Sequence, residues 1–285
     1  MVAESRPRHW DARAKRWQLI GPPLRPAPPD IEYLRTSLTR FSPQPGTALL
    51  LGVTPEIAEM NWDPACKLVA VDNSEGMING VWPGDTHARR ALVADWLALD
   101  LPEAPFDLAV GDGVFSIFDF PTGYAQLAVA LGQLVKPGGL LSLRLFCRPE
   151  PSETLDEVFD ALFRGAIGNF HVFKWRLAMA LQGNATRGVR LAHIWNTFRE
   201  RGGEIADVAQ RCGWPEPVVG TIEGYRDVEE RYTFSTEREV VDSLADSFEL
   251  IETWRPHYEL GERCPHLSFR RRPGSAIRPA QVRSG

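Results

Sequence analysis

Four short apolar runs, each closing on a glycine or an aspartate, recur along the first half of this chain and restrict its fold more than any other feature. They are Thr47–Gly52, Lys67–Asp72, Ala91–Asp95 and Phe106–Gly111; a fifth, Leu140–Phe146, follows the stop signal Lys136-Pro137-Gly138-Gly139. Runs this short with no polar alternation read as strands buried on both faces. Helical stretches separate them: Pro55–Met60 with proline in its first turn, Ser74–Ile78, and Tyr124–Leu134. Strands alternating with helices predict β-α-β units, right-handed crossovers and a parallel sheet covered on both sides. The expected class is therefore α/β: a Rossmann-like, doubly wound, mostly parallel sheet.

The pattern changes at both ends of that region. Residues 1–45 read as a helical leader, with a helix over Asp11–Ile20 that puts Trp10 and Trp17 on one face. A second helix spans Ile31–Thr39 and is capped by Asp30. Residues 151–234 contain no convincing strand. They read as a helical insertion, with helices at Thr154–Arg164, Phe170–Leu181, Val189–Arg201, Glu204–Cys212 and on through Tyr225. A helix at Thr236–Ala245 and strands at Phe248–Trp254 and Leu267–Arg271 complete the core, the last two pairing as an antiparallel edge. The expected units are thus 1–45, a core of 46–150 and 235–272, a substrate cap of 151–234, and a disordered tail of 273–285.

Composition removes several functional classes. Thirty-two Lys and Arg against 37 Asp and Glu give a net charge of −5, which supplies no overall field for a polyanion. The four cysteines, Cys66, Cys147, Cys212 and Cys264, lack both CxxC spacing and a histidine at zinc spacing, and read as reduced thiols. Without an apolar leader peptide or a membrane-length apolar run, the expectation is a soluble, cytoplasmic protein that engages no membrane.

In an open α/β sheet, ligands sit beyond the carboxyl ends of the strands where strand order reverses. The residues there are Gly52, Val53 and Thr54; Asp72 and Asn73; Asp95 and Trp96; and Gly111, Asp112 and Gly113, with Met77 close behind. A glycine admits a ligand close to the backbone, and a carboxylate ending the second strand accepts from two ribose hydroxyls. Asp95 suits an adenine amino group, with Trp96 and Met77 as apolar walls. Gly111 to Gly113 suit an amino-acid moiety.

Together the runs Leu49–Thr54, Val71–Met77, Val93–Trp96, Phe106–Gly113 and Leu134–Leu140 resemble the class I S-adenosylmethionine-dependent methyltransferases across about residues 46–147. The resemblance implies S-adenosylmethionine as cofactor. Asp72 would then hold the ribose, Asp95 and Trp96 the adenine, and Gly111 to Gly113 would border the methionine part. The chain departs from the family's first turn: Leu50 takes the place of an acid, and Thr54 and Glu56 stand where further glycines are usual. A nicotinamide dehydrogenase fits less well, since Gly52 alone remains of G-x-G-x-x-G and Pro55 removes a phosphate-facing N–H.

The implied function is methyl transfer by in-line displacement to a small molecule. The alternative is a non-catalytic module that holds the nucleoside or a partner. Arg144, within an apolar strand, must be paired or contact substrate. His171 and Lys174 are candidates for proton acceptor or substrate ligand. Between Ala161 and Gly203 seven Lys and Arg face the single acid Glu200, which suggests a basic mouth for an acidic substrate. The stretch Ile205–Ile222 has helix-turn-helix spacing, but Glu216 and Glu223 oppose phosphate, so nucleic acid is not an expected partner. Oligomeric state and the atom methylated are not legible.

Overall fold

The computed structural model describes residues 8–274. In chain order the elements are α1 (Arg8–Ala14), α2 (Pro28–Phe41), β1 (Thr47–Leu51), α3 (Pro55–Ala58), β2 (Lys67–Asp72), α4 (Glu75–Val81), β3 (Arg89–Val93), β4 (Phe106–Asp112), α5 (Thr122–Leu134) and β5 (Val135–Arg144). There follow α6 (Leu155–Phe163), α7 (Phe170–Gln182), β6 (Val189–Arg190), α8 (Leu191–Thr197), α9 (Ile205–Cys212), α10 (Glu216–Val219), β7 (Arg231–Tyr232), α11 (Glu237–Leu244), β8 (Phe248–Trp254) and β9 (His266–Arg271). Seven strands form one sheet in the order β3-β2-β1-β4-β5-β9-β8. β1 to β5 run parallel and β9 inserts antiparallel between β5 and β8. This is the Rossmann-like sheet with the antiparallel edge that the sequence led us to expect.

The continuous apolar runs are explained by burial on two sides. Leu49, Leu51, Val69 and Val71 join the core under α5 and α11, while Ala48, Leu50, Leu68 and Ala70 join the one under α2, α3 and α4. Each fully buried leucine contributes about 1.5–3 kcal/mol, so strand position is set from both faces. A third apolar core lies within the insertion and takes in Phe146 from the sheet side and Ile20 and Leu24 from the leader.

Register fixes the site. Leu51 pairs with both Val71 and Gly111, so the next residues, Gly52, Asp72 and Asp112, emerge side by side on one rim. At the usual spacing of about 4.8 Å between strands, the three positions span about 10 Å. Strand order reverses between β1 and β4, and the cleft opens there.

Several readings need correction. The leader helix ends at Ala14, and Trp17 opens a separate 3-10 turn, Trp17–Leu19. α2 starts at Pro28, because proline is pre-set for a first turn; Asp30 is its third residue and accepts from the backbone N–H of Ala27. The insertion does contain strand: β6 and β7 pair antiparallel through Val189–Tyr232 and Arg190–Arg231. Lys136 to Gly139 do not interrupt β5; they sit inside it at a shift in pairing with β4 between Phe106 and Leu108. Most of the tail expected to be disordered lies outside the described residues.

Candidate active site

A cleft of about 1370 Å³ lies over the β1, β2 and β4 ends, between the core and the insertion, and α1 and the Trp17 turn line its other side. α1 reaches that position because α4 presents two glycines on one face. A Cβ on Gly80 would stand 3.1 Å from the Cβ of Ala14, and one on Gly76 would collide with Asp11. Trp10 and Trp17 both line the cleft, with the Arg13 guanidinium over their rings at 5.1 and 5.9 Å from the centroids. The leader is held further by Arg25, which pairs with Glu56 and donates to the carbonyls of Trp17 and Ile20. Two of the three departures at the first turn, Glu56 and Leu50, have a physical use. Glu56 anchors the leader, and Leu50 is fully buried in a core that includes Ala14 and Leu34 from the leader.

Gly52 turns with φ +93°, a conformation that favours glycine, and a side chain there would stand 3.9 Å from Asp72 Oδ2. The other Asp72 oxygen accepts from the Ser74 N–H at 2.8 Å. Burial pushes this carboxyl up to about 6, only partly offset by the backbone N–H groups of Ser74 and Asn73. A half-buried carboxylate with backbone partners only, facing a cleft, favours a ligand that brings hydroxyl donors. Val53, Thr54, Asn73 and Met77 line the cleft around it.

Asp95 also lines the cleft, but it is exposed and accepts from Leu97 N–H at 2.9 Å, capping a 3-10 turn. Beside it, Trp96 is pinned by its Nε1 donating to the Val71 carbonyl at 2.6 Å, which fixes the indole as a wall. Asp112 and Gly113 border the cleft floor. Gly111 does not; a Cβ there would meet Val114, Leu51 and Leu143, so it serves packing under the rim.

Asp112 is not a free charge. Arg144, 2% exposed, donates to it at 2.6 Å and also reaches the Pro23 carbonyl and Tyr258. Tyr258 donates to Asp30, and His266 Nε2 lies 2.9 Å from the same carboxylate. Burial alone would raise the Asp30 carboxyl, but the His266 hydrogen bond and the Arg144 charge outweigh it and hold it below the usual range. For Asp112 burial wins and the carboxyl is raised despite Arg144. Arg144 is thus a structural cation that ties leader, sheet and cleft floor together.

His171 and Lys174, candidates for proton acceptor or substrate ligand, are both buried. His171 Nε2 donates to the Leu19 carbonyl at 2.9 Å, and burial with the nearby Lys174 lowers its pKa to about 3, which makes it a poor proton acceptor. Lys174 Nζ reaches Thr221 Oγ1 at 3.4 Å and faces the Tyr225 ring; burial pulls its pKa well below the lysine range. Neither lines the cleft. The basic residues do not form a mouth to the cleft: none of the seven lines it, and four of the six arginines find acids outside the counted stretch, Arg176 with Glu153, Arg190 with Glu229, Arg199 with Glu204 and Arg201 with Asp156. The helix-turn-helix spacing resolves into α9 and the four-residue α10, with Val219 and Ile222 fully buried, leaving no recognition helix.

Sequence reasoning missed Arg13, Phe146, Trp175 and Tyr232 as cleft residues. They come from α1, the segment after β5, α7 and β7, and Tyr232 is delivered by the two-residue strand β7. Among the described residues no cluster of three or more His, Cys, Asp or Glu is placed to hold a metal ion, and no helix is long and apolar enough to cross a membrane.

No protein-family model matches the chain, and no curated protein does. Solved structures do. A Rhodobacter sphaeroides protein assigned by name to the Zn-dependent alcohol dehydrogenases matches at 16% identity and TM-score 0.53, over 92% of this chain and 98% of its own. The PH0226 protein of Pyrococcus horikoshii OT3 matches at 12% identity and TM-score 0.52, over 90% and 98%. N-methyltransferase NodS from Bradyrhizobium japonicum WM9, solved with S-adenosyl-L-homocysteine, matches at 14% identity and TM-score 0.48, over 91% and 97%. At such identities the likeness is one of fold, which many chemistries share.

Proposed function

We propose that the cleft binds S-adenosylmethionine and that the chain transfers its methyl group to a small molecule. One observation carries this reading: Asp72, at the end of β2, is a half-buried carboxylate whose partners are backbone N–H groups and which faces a glycine turn of positive φ. A vicinal diol supplies the two donors such a carboxylate lacks, and the open turn leaves room for the sugar to come close. Trp96, Met77 and Asp95 then flank the base, with Asp95 as an acceptor for an exocyclic amine. Asp112, half-neutralised by Arg144, borders the amino-acid end.

When bound, the cofactor supplies an electrophilic methyl on a cationic sulfur. The chain's part is to position and to exclude water. The acids Asp11, Asp72, Glu75, Asp95, Asp112 and Asp119 outnumber Arg13 and Lys15 among the described lining residues, a balance that favours a cation. Trp10 and Trp17 roof the cleft, and a roofed cleft restricts water and aligns reactants. In-line transfer needs a base only when the attacking atom holds a proton, so a lack of an evident base in the cleft is compatible with turnover.

The test is calorimetric titration with S-adenosylhomocysteine, followed by incubation with methyl-labelled cofactor and a metabolite extract. Binding with label transfer to a small molecule, a gain of about 14 mass units, is the expected result. Binding without transfer to any acceptor favours a nucleoside-holding module, and no binding at all overturns the reading.

A further inference from the structure

We propose that the part of the cleft lined by Trp175, Phe146, Tyr232, Arg13 and Trp17 receives a flat aromatic molecule that carries an anionic oxygen, a carboxylate or phenolate. This deepens the methyl-transfer reading by naming the acceptor's class, and it rests on that reading only for the word acceptor.

The apolar half of the argument is geometric. Trp175 stands edge-on to Phe146, with ring centroids 5.3 Å apart, and to Tyr232, 5.4 Å apart. All three line the cleft and belong to the insertion's apolar core, so their orientations are set by packing behind them. Walls of fixed aromatic rings select a planar apolar body over a flexible polar one.

The polar half concerns donors without acceptors. Trp175 Nε1, Trp17 Nε1 and Arg13 Nε are all shielded from water and have no hydrogen-bond partner. An indole N–H and a guanidinium only donate, so whatever completes them must accept. Leaving a buried donor unmade costs about 1–3 kcal/mol, and a ligand oxygen admitted by a small shift of these side chains would recover part of that on binding. Arg13 also lacks a compensating charge: its NH1 donates at 3.2 Å to the Tyr232 hydroxyl, a neutral group, and no carboxylate pairs with it among the described residues. The groups nearest behind it are no counter-ions either. Its positive charge bears on both His171 and Lys174, lowering their proton affinity. The cleft therefore holds both signs of charge, with Asp72 and Asp95 at the strand ends and, beside the aromatic walls, a guanidinium that no carboxylate pairs among the described residues.

The experiment titrates the full chain with 4-hydroxybenzoate and with benzylamine, a cation of similar size, each with and without saturating S-adenosylhomocysteine. Arg13→Gln and Trp175→Phe are compared with the wild type. 4-Hydroxybenzoate should bind about 10-fold or more tightly than benzylamine, and each variant should weaken it about 10-fold, the worth of one charge-assisted hydrogen bond. S-adenosylhomocysteine affinity should fall by less than 4-hydroxybenzoate affinity in both variants, because the strand-end residues Gly52, Asp72 and Asp95 are left intact. Arg13→Gln changes a half-buried leader side chain, so its melting point checks the fold should Trp175→Phe prove unstable. Equal or tighter binding of benzylamine, no binding of 4-hydroxybenzoate, or unchanged affinity in a folded Arg13→Gln would overturn the proposal. Arg13-dependent binding of 4-hydroxybenzoate without any binding of S-adenosylhomocysteine would instead leave this site standing and remove the methyl-transfer reading.

Discussion

Replacing Asp72 by Asn should abolish cofactor binding and, at neutral pH, make the protein more stable. Burial raises the Asp72 carboxyl from 3.8 to about 6. A shift of about 2 units at about 1.4 kcal/mol each makes the ionised side chain cost the free protein up to about 3 kcal/mol at pH 7. Water in the cleft relaxes this, so about 1–3 kcal/mol is expected, or about 2–8 °C in melting temperature for a chain of this size. The sign with pH is determinate. A folded pKa above the unfolded one means the wild type has its full stability below about pH 4 and loses it as pH rises through about 6. Asn does not titrate and keeps an acceptor for the Ser74 N–H, so the variant's advantage should be full at pH 7.5 and mostly gone by pH 4.5. Thermal melts of both proteins at these two pH values, with calorimetric titration of S-adenosylhomocysteine at pH 7.5, form the assay. Loss of two hydroxyl-to-carboxylate hydrogen bonds should weaken binding by at least about 100-fold. An Asn variant that melts no higher than the wild type at pH 7.5, or whose advantage is the same at both pH values, would refute the claim that Asp72 is held at a cost for a ligand.

Other substitutions follow from the same structure. Arg144→Met leaves Asp30 and Asp112 facing one another without their cation, and urea unfolding should register a loss of about 3–5 kcal/mol; Arg144→Lys should not restore it, because an ammonium lacks the guanidinium's fork. Lys174→Met removes a buried amine whose pKa is depressed, so it should melt higher than the wild type at pH 7, with the gap narrowing toward pH 10 as the unfolded wild-type chain also gives up this proton. Gly76→Val pushes α1 off α4; limited proteolysis should then cut within the leader while the core's melting transition moves little, and an uncut leader would show that close approach is not what seats it.

The fold was legible wherever the signal was local. Lys67–Asp72 and Phe248–Trp254 have the boundaries read from the sequence, because apolar runs stop there at turn-forming or polar residues. The Gly-Gly break before Leu140 misled for a physical reason: inside a sheet an irregular segment can keep pairing through a register shift, and Val135 already pairs with Phe106. Two-residue strands such as β6 and β7 carry no periodicity to detect. Ion pairing was equally hidden. Counting arginines over Ala161–Gly203 implied a basic face, but Arg201 meets Asp156 and Arg176 meets Glu153, acids that a window along the chain does not include.

The same distinction separates the two parts of the cleft. Gly52 and Asp72 could be picked out one strand at a time, because a glycine turn and a strand-ending acid are local marks tied to a general rule of α/β sheets. Arg13, Trp175 and Tyr232 are brought together by α1, α7 and β7, and no rule of sequence links them. On the proposed reading, the cleft holds opposite charges in a partly closed space, a cation above the strand ends and an anion beside Arg13. Methyl transfer from sulfur to an anionic acceptor neutralises both, and a reaction that destroys charge gains from low polarity where one that creates charge loses. A roof of Trp10 and Trp17 that restricts water would therefore do more than position. It would favour the neutral products, and it explains why a chain whose first turn departs from the family's pattern spends Glu56 and Leu50 on seating its leader.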